Sequence, residues 1–396
     1  MAGWFARNRR RLGLWLFFLV LAGILLFYVI VPLVVQWGMN RVVEDEAATV
    51  SEAGAALHAR LALADMHADS LLWRRDLTRR GRIGQADFPR LAEGKFALQV
   101  FTAVTKSPRG LNYESNPADS DNITTLAIAQ RWPRRTWGSL HQRALYQAEK
   151  LREFAARTDG AVAVVTTGPE LAQVMARRAA GEAVMAAMLG LEGAHPMEGD
   201  LENLKSLYAA GYRTLGLTHF FDNEVGGSAH GLEKGGLTPL GREAVRWAEA
   251  NGMVIDLAHA SVTLIDEVLD MATRPVVVSH TGVKGTCPGN RNLTDDHLRR
   301  IAETGGIVGI GFWSGAVCET TVAAIVQAMR YTADLIGVAH VALGSDFDGS
   351  VWTPFDAAGT AKLTSALLDA GFTEAEIAQI MGQNTIDFFI ETLPRE

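Results

Sequence analysis

Nine short, continuous apolar runs constrain what this chain can fold into more than any other feature: residues 61–66, 97–104, 161–166, 184–191, 214–218, 254–258, 275–279, 307–312 and 341–345. Buried parallel strands read as unbroken apolar runs of this kind. Most of the runs are separated by segments of helical periodicity, such as 200–210, 240–251, 261–271, 295–303 and 320–336. That alternation predicts an α/β fold with a parallel sheet. Eight strand–helix units close a (β/α)8 barrel, and 161–166 is the expected surplus run because no polar group stands at its end. An open doubly wound sheet is the alternative, but it gathers ligands at one crevice, whereas here many different runs end in polar groups. No GxGxxG or P-loop motif follows any run.

Polar residues at the ends of these runs point to a metal site. His67 and Asp69 follow the first run, Glu192 the fourth, His259 the sixth and His280 the seventh. His67 and Asp69 are two apart, so on a strand both face the same way. A lone His-x-Asp reads as a hydrogen-bonded core pair; its repetition at equivalent strand ends favours metal ligation. Five ligands exceed what one tetrahedral zinc with an open position needs, and suit two metals sharing a bridging carboxylate and a bridging water or hydroxide. The histidine and carboxylate donors suit zinc, with manganese and iron left open.

Two further strand ends carry polar groups beyond that ligand set, His219 and Asp346. His219 is placed to stabilise an oxyanion and Asp346 to carry a proton. The plainer readings are a sixth ligand or core histidine for His219 and a turn residue for Asp346, with Asp348 as the second candidate acid and base. Arg291, in the loop beyond His280, either clamps a substrate carboxylate or pairs with Asp295 or Asp296.

Residues 12–35 contain no charged residue. This is long enough to cross a hydrocarbon core as a helix, exceeds the usual signal-peptide core and precedes no clear cleavage site, so an uncleaved anchor is expected over a signal peptide. Arg7, Arg9, Arg10 and Arg11 precede it and Glu44, Asp45 and Glu46 follow it, placing the basic N-terminus (1–11) in the cytoplasm and the remainder in the periplasm or outside the cell. Alanine-rich residues 36–60 read as a helical stalk and 61–396 as the folded domain, and the 48% hydrophobic content of the 396-residue chain supports a large core. A net charge of −7 without a basic cluster beyond the N-terminus argues against nucleic acid and for a small-molecule partner.

Cys287 and Cys318 follow neighbouring strand ends and either form a disulfide or remain two buried thiols. The proline-rich stretch 106–142 reads as a long connection, a binding loop or a packed excursion, and Thr373 with Glu376 as a capping box opening a closing helix. His195 and His230 lie in glycine-rich loops near the expected site, while His58, His141, His297 and His340 read as surface or capping residues.

Asp65-Met-His67-Ala-Asp69-Ser, Gly190-Leu-Glu192-Gly-Ala-His195, Gly211-Tyr-Arg213-Thr-Leu-Gly-Leu-Thr-His219, Ile255-Asp256-Leu-Ala-His259-Ala-Ser261, Ser279-His280, Arg291-Asn292 and Gly344-Ser-Asp346-Phe-Asp348-Gly349 follow one another along the chain. In order and spacing they resemble the membrane dipeptidase (renal dipeptidase) family of the amidohydrolase superfamily. The resemblance implies a distorted (β/α)8 barrel with two zinc ions that hydrolyses dipeptides, with acceptance of a C-terminal D-residue left open. It implies that His67, Asp69 and bridging Glu192 hold one zinc and Glu192, His259 and His280 the other. His219 would then bind the substrate carbonyl or its oxyanion, Arg291 its carboxylate, and Asp346 would shuttle the proton. The chain departs from the family in carrying Ala194 where a second glycine is frequent, and in ending in Glu-Thr-Leu-Pro-Arg-Glu without a hydrophobic tail, which leaves the N-terminal helix as the expected anchor. Rival readings are an amidohydrolase of N-acyl amino acids or lactams and a non-catalytic metal-binding envelope scaffold; a homodimer is left open.

Overall fold

The computed structural model describes residues 2–396, with side chains from Arg11 onward. The side chains of Arg7, Arg9 and Arg10, on which the orientation argument draws, lie outside the described residues. Each of the nine apolar runs is a strand: β1 (Leu63–Ala68), β2 (Phe96–Val104), β3 (Val162–Val164), β4 (Met185–Glu192), β5 (Tyr212–Gly216), β6 (Val254–Asp256), β7 (Val277–Thr281), β8 (Ile307–Ile310) and β9 (Val341–Leu343). Every pairing between them is parallel. The order runs β2-β1-β9-β8-β7-β6-β5-β4, and β2 closes onto β4 to complete an eight-stranded barrel. The expected surplus strand, β3, lies outside that ring, pairing with Met185–Ala187 at the start of β4, below the stretch that β5 takes.

Ala64, Met66, Leu98, Val100, Met188 and Val277 pack together from four strands, which is only feasible inside the barrel. Phe388 and Phe389 of the last helix, Asn384–Thr392, belong to the same cluster and close the barrel from below. A larger apolar cluster fills the layer between the strands and the helices, among them Pro239–Ala250, Val262–Met271, Asp295–Glu303 and Val322–Ile336. Serine or threonine caps start these helices by accepting a backbone N–H, and Thr373 and Glu376 form the expected capping box.

Among the described residues, one helix, Arg11–Met39, is long and apolar enough to cross a membrane. The expected helical stalk at 36–60 is corrected. Helix persists to Met39 and resumes at Glu52–His58, but the residues between are not helical and lie against the domain. Here Val43 N–H donates to Thr353 O (2.8 Å), Thr353 N–H to Arg41 O (3.1 Å) and the Gln85 amide also to Arg41 O (3.1 Å). Val42, Val43, Thr49 and Val50 are β-branched and weak helix formers, so these external partners decide the local conformation.

Three of the histidines read as surface or capping residues are buried: His58 bonds Thr364, His141 bonds Pro196 O and Ser206, and His297 faces Asp266.

Candidate metal centre and substrate cavity

The carboxyl ends of the strands open into a cavity of about 490 Å³, lined in part by Asp69, Glu192, His219, His259, Arg291 and Asp346. Glu192 stands at its centre because it is in phase with Met188 and Ala186, which point into the barrel two and three pleats below. Gly193 follows at φ +82°, and a Cβ there would come within 2.8 Å of His195 and 3.2 Å of His219, so glycine lets the chain turn just beyond the carboxylate. Ala194 is fully buried, so the departure from the family pattern is absorbed by packing. His67 neighbours the inward-pointing Met66, and an irregular register between Asp65 and Ala68 breaks the strand's alternation there; the same occurs in β7 between Val278 and Thr281, around His280.

Four imidazoles converge on one oxygen. Glu192 Oε1 lies 3.4 Å from His67 Nε2, 3.3 Å from His259 Nε2, 3.6 Å from His280 Nε2 and 3.2 Å from His219 Nε2. Asp69 Oδ1 is 3.7 Å and Asp346 Oδ1 4.0 Å from His67 Nε2. His259 Nε2 and His280 Nε2 face each other at 3.0 Å, and Glu192 Oε2 and His67 Nε2 are buried without a hydrogen-bond partner. Buried polar atoms are normally paired, and this many lone-pair donors turned toward a common centre fit cations held between them. Among the described residues, three overlapping groups could hold a metal ion: His67, Glu192 and His280; Glu192, His219 and His259; and His67, Asp69 and Asp346. His219 is as close to Glu192 as the expected ligands are, so distance alone does not separate it from them.

Burial pushes Asp69 up to about 6, reinforced by the Glu192 charge. Burial also pushes Glu192 up, but the charges of His219 and His67 outweigh it and hold the carboxyl well below its usual range. His259 and His280 are held well below the ordinary imidazole value by burial and nearby cations, leaving neutral rings suited to ligation. The Asp346 carboxyl is held well above the carboxylate range by burial and by Asp69 and Glu192. His259 and Asp346 both adopt left-handed backbone, at φ 63° and 59°. Such conformations cost a side-chain-bearing residue roughly 1–2 kcal/mol and concentrate at functional sites.

The supporting contacts were not legible beforehand. Ser279 Oγ sits 3.1 Å from His67 Nδ1 and 2.9 Å from His280 Nδ1, orienting both rings, and Thr102 donates to Asp69 at 2.6 Å. Ser279 directly precedes His280, which is the one signal that sequence held. Asp348, the second candidate acid, is consumed elsewhere: it accepts from Ser70 (2.5 Å), Gln85 N–H (2.8 Å), Ala86 N–H (3.2 Å) and Arg75. His195 is buried and pushed down to about 3, its ring tilted against Phe221; His230 stacks on Phe220 with Nδ1 at 2.8 Å from Tyr113 O.

Arg291 is buried, with Nη2 donating to His280 O at 2.6 Å and its guanidinium 5.6 Å from the Trp313 ring. Among the described residues it makes no ion pair, and Nε has no partner; Asp295 is instead engaged by Tyr331. A buried cation without a counter-ion on a cavity wall is chemically set up for an anionic ligand. Its loop is closed by the Cys287–Cys318 disulfide, with Cα atoms 5.4 Å apart and a sequence separation of 31. Converting both cysteines to serine is expected to lower the unfolding free energy by about 3–4 kcal/mol, from the entropy of opening a loop of this length. Urea unfolding measures this, and an unmoved midpoint refutes it.

The family model of membrane dipeptidases (peptidase family M19) matches residues 52–392. The chain belongs to the membrane dipeptidase family. An uncharacterised dipeptidase of Schizosaccharomyces pombe is 31% identical over 212 residues, 51% of this chain, and the chain spans about half (52%) of that relative. Two structures share the fold: a Rhodobacter sphaeroides metallopeptidase liganded with a phosphinate mimic of L-Ala-D-Ala (24% identity, TM-score 0.67, 84% of this chain and 99% of that one), and the probable dipeptidase PvdM of Pseudomonas aeruginosa (19%, TM-score 0.71, 86% and 98%). The barrel and its motifs thus belong to the membrane dipeptidase fold, while the Arg11–Met39 helix precedes the matched region.

Proposed function

We propose that this chain is a membrane-anchored dipeptidase carrying two zinc ions, its catalytic domain on the outer side of the membrane. The observation that carries the reading is the convergence of four imidazole nitrogens on Glu192 Oε1 in a cavity whose wall also holds the unpaired Arg291. His67, Asp69 and Glu192 would hold one ion and Glu192, His259 and His280 the other. Such ions, when bound, polarise a carbonyl and make water a competent nucleophile at neutral pH.

The side chains supply the rest. Arg291 receives the free carboxylate of the substrate and so sets its reach, because a longer peptide has no carboxylate at that point. His219 donates to the carbonyl oxygen as it gains charge. Asp346 takes a proton from the attacking water and returns it to the departing amine, so that water adds across the C–N bond and two amino acids leave.

The test is hydrolysis of a panel by the full chain in detergent, after chelation and with zinc restored. It contains Ala-Ala, L-Ala-D-Ala, a tripeptide, an N-acetyl amino acid and a lactam. Zinc-restored cleavage of dipeptides but not the tripeptide supports the reading. Turnover confined to the N-acyl or lactam compounds replaces it with another amidohydrolase activity, and a folded chain that binds no metal supports a scaffold. L-Ala-D-Ala is included because the Rhodobacter relative binds its mimic. Replacing Arg291 with Ala is expected to raise KM about 10–100-fold with a smaller change in kcat, the loss of charged hydrogen bonds worth about 1.5–3 kcal/mol. Steady-state kinetics checks this; an unchanged KM removes the clamp.

A further inference from the structure

The cavity has a wall that the reaction does not use. Val31, Val35 and Met39, at i, i+4 and i+8 on the apolar N-terminal helix, line it together with Leu72, Ile123 and Leu126. Val35 packs against a cluster containing Leu72, Trp73, Val104 and Ile123, so the helix is docked there. The joint is specific: Arg41 lies 5.3 Å from the Trp37 ring and 5.1 Å from that of Trp352, Trp352 Nε1 donates to Gly38 O (3.0 Å), and Ser350 N–H to Asn40 Oδ1 (2.8 Å).

Direction follows from the barrel order. The apolar wall belongs to the loops after β1 and β2, whereas Arg291 follows β7, which lies four places from β2 around the eight-stranded ring. A substrate whose carboxylate meets Arg291 therefore points its amino-terminal residue at the apolar wall.

Depth follows from the charges. Arg74 donates to Tyr28 O at 3.1 Å and the Arg131 guanidinium lies 5.3 Å from the Tyr28 ring. Arginines avoid hydrocarbon, so the bilayer core ends near residue 28. Residues 11–27 then span about 26 Å at ~1.5 Å per residue, close to the ~30 Å core thickness, and the face carrying Val31, Val35 and Met39 begins where the membrane stops.

We propose that the preferred substrates are dipeptides bearing a long aliphatic chain on the amino-terminal residue, which lies along Val31, Val35 and Met39 and continues into the bilayer. This rests on the dipeptidase reading and names the substrate class for it. The test uses the full chain in phospholipid nanodiscs with zinc, comparing Ala-Ala with 2-aminododecanoyl-Ala. The long-chain compound is expected to be cleaved with at least tenfold higher kcat/KM. Val35→Gln, and separately Met39→Gln, should lower its kcat/KM at least fivefold more than that of Ala-Ala, whose cleavage also reports that each variant is folded. Cleavage of Ala-Ala without preference for the long chain, or a preference that both variants leave intact, overturns the proposal while the dipeptidase reading stands. Cleavage of neither removes both.

Discussion

Replacing Glu192 with Gln is expected to strip the chain of tightly held metal and to lower dipeptide turnover by at least about 10³-fold. Four imidazole nitrogens lie within 3.2–3.6 Å of a single oxygen of this carboxylate, so it is the common member of both proposed ion sites. Glutamine matches it in size but carries no charge. Outer contacts of metal ligands already cost roughly 10–100-fold in affinity when removed, and a bridging ligand should cost more. Metal content after dialysis and kcat at saturating zinc measure the two effects separately. Full metal content with wild-type turnover would sink the proposed centre; retained metal with lost turnover would move Glu192 from holding ions to acting on substrate.

Asp346→Asn should behave differently, losing turnover by about 10²–10⁴-fold, the range for a positioned acid and base, with metal retained. The swap is clean because Asp346 sits at φ 59°, a conformation that Asn tolerates as readily as Asp. Backbone strain therefore cannot account for a loss. Asp346 also belongs to one of the groups able to hold an ion, with His67 and Asp69. Metal analysis of the variant decides between the roles: a drop in metal content makes Asp346 a ligand, and wild-type kcat denies it any part.

The strands and the polar residues at their ends were legible because burial on both faces leaves a continuous apolar run, and a polar residue closing it must then lie at the barrel mouth. Even the surplus strand could be identified from its lack of a polar end. The connector at 36–60 was misread as helical because alanine content is a local signal, whereas residues around Val42 are held by hydrogen bonds to Thr353, more than 300 positions away. His58, His141 and His297 looked superficial for a similar reason: each is buried against a partner that the sequence does not place beside it. Thr102, which orients Asp69, belongs to a run that reads simply as core, and Ser279, which orients His67 and His280, is marked in sequence only by its place before His280. The apolar wall of the cavity was the least legible part, since it joins a helix read only as an anchor to loops after the first two barrel strands.

The last helix, whose Phe388 and Phe389 fill the interior beneath Ala64 and Met66, also governs the order in which the molecule can be completed. Contacts separated by more than 320 positions carry a large loop-closure cost and slow the search for the native state. Until residue 389 has been synthesised, the first strand has no finished interior to join. The barrel therefore cannot mature vectorially from its N-terminus. Its early strands must wait, partly open and prone to association, for the helix Asn384–Thr392.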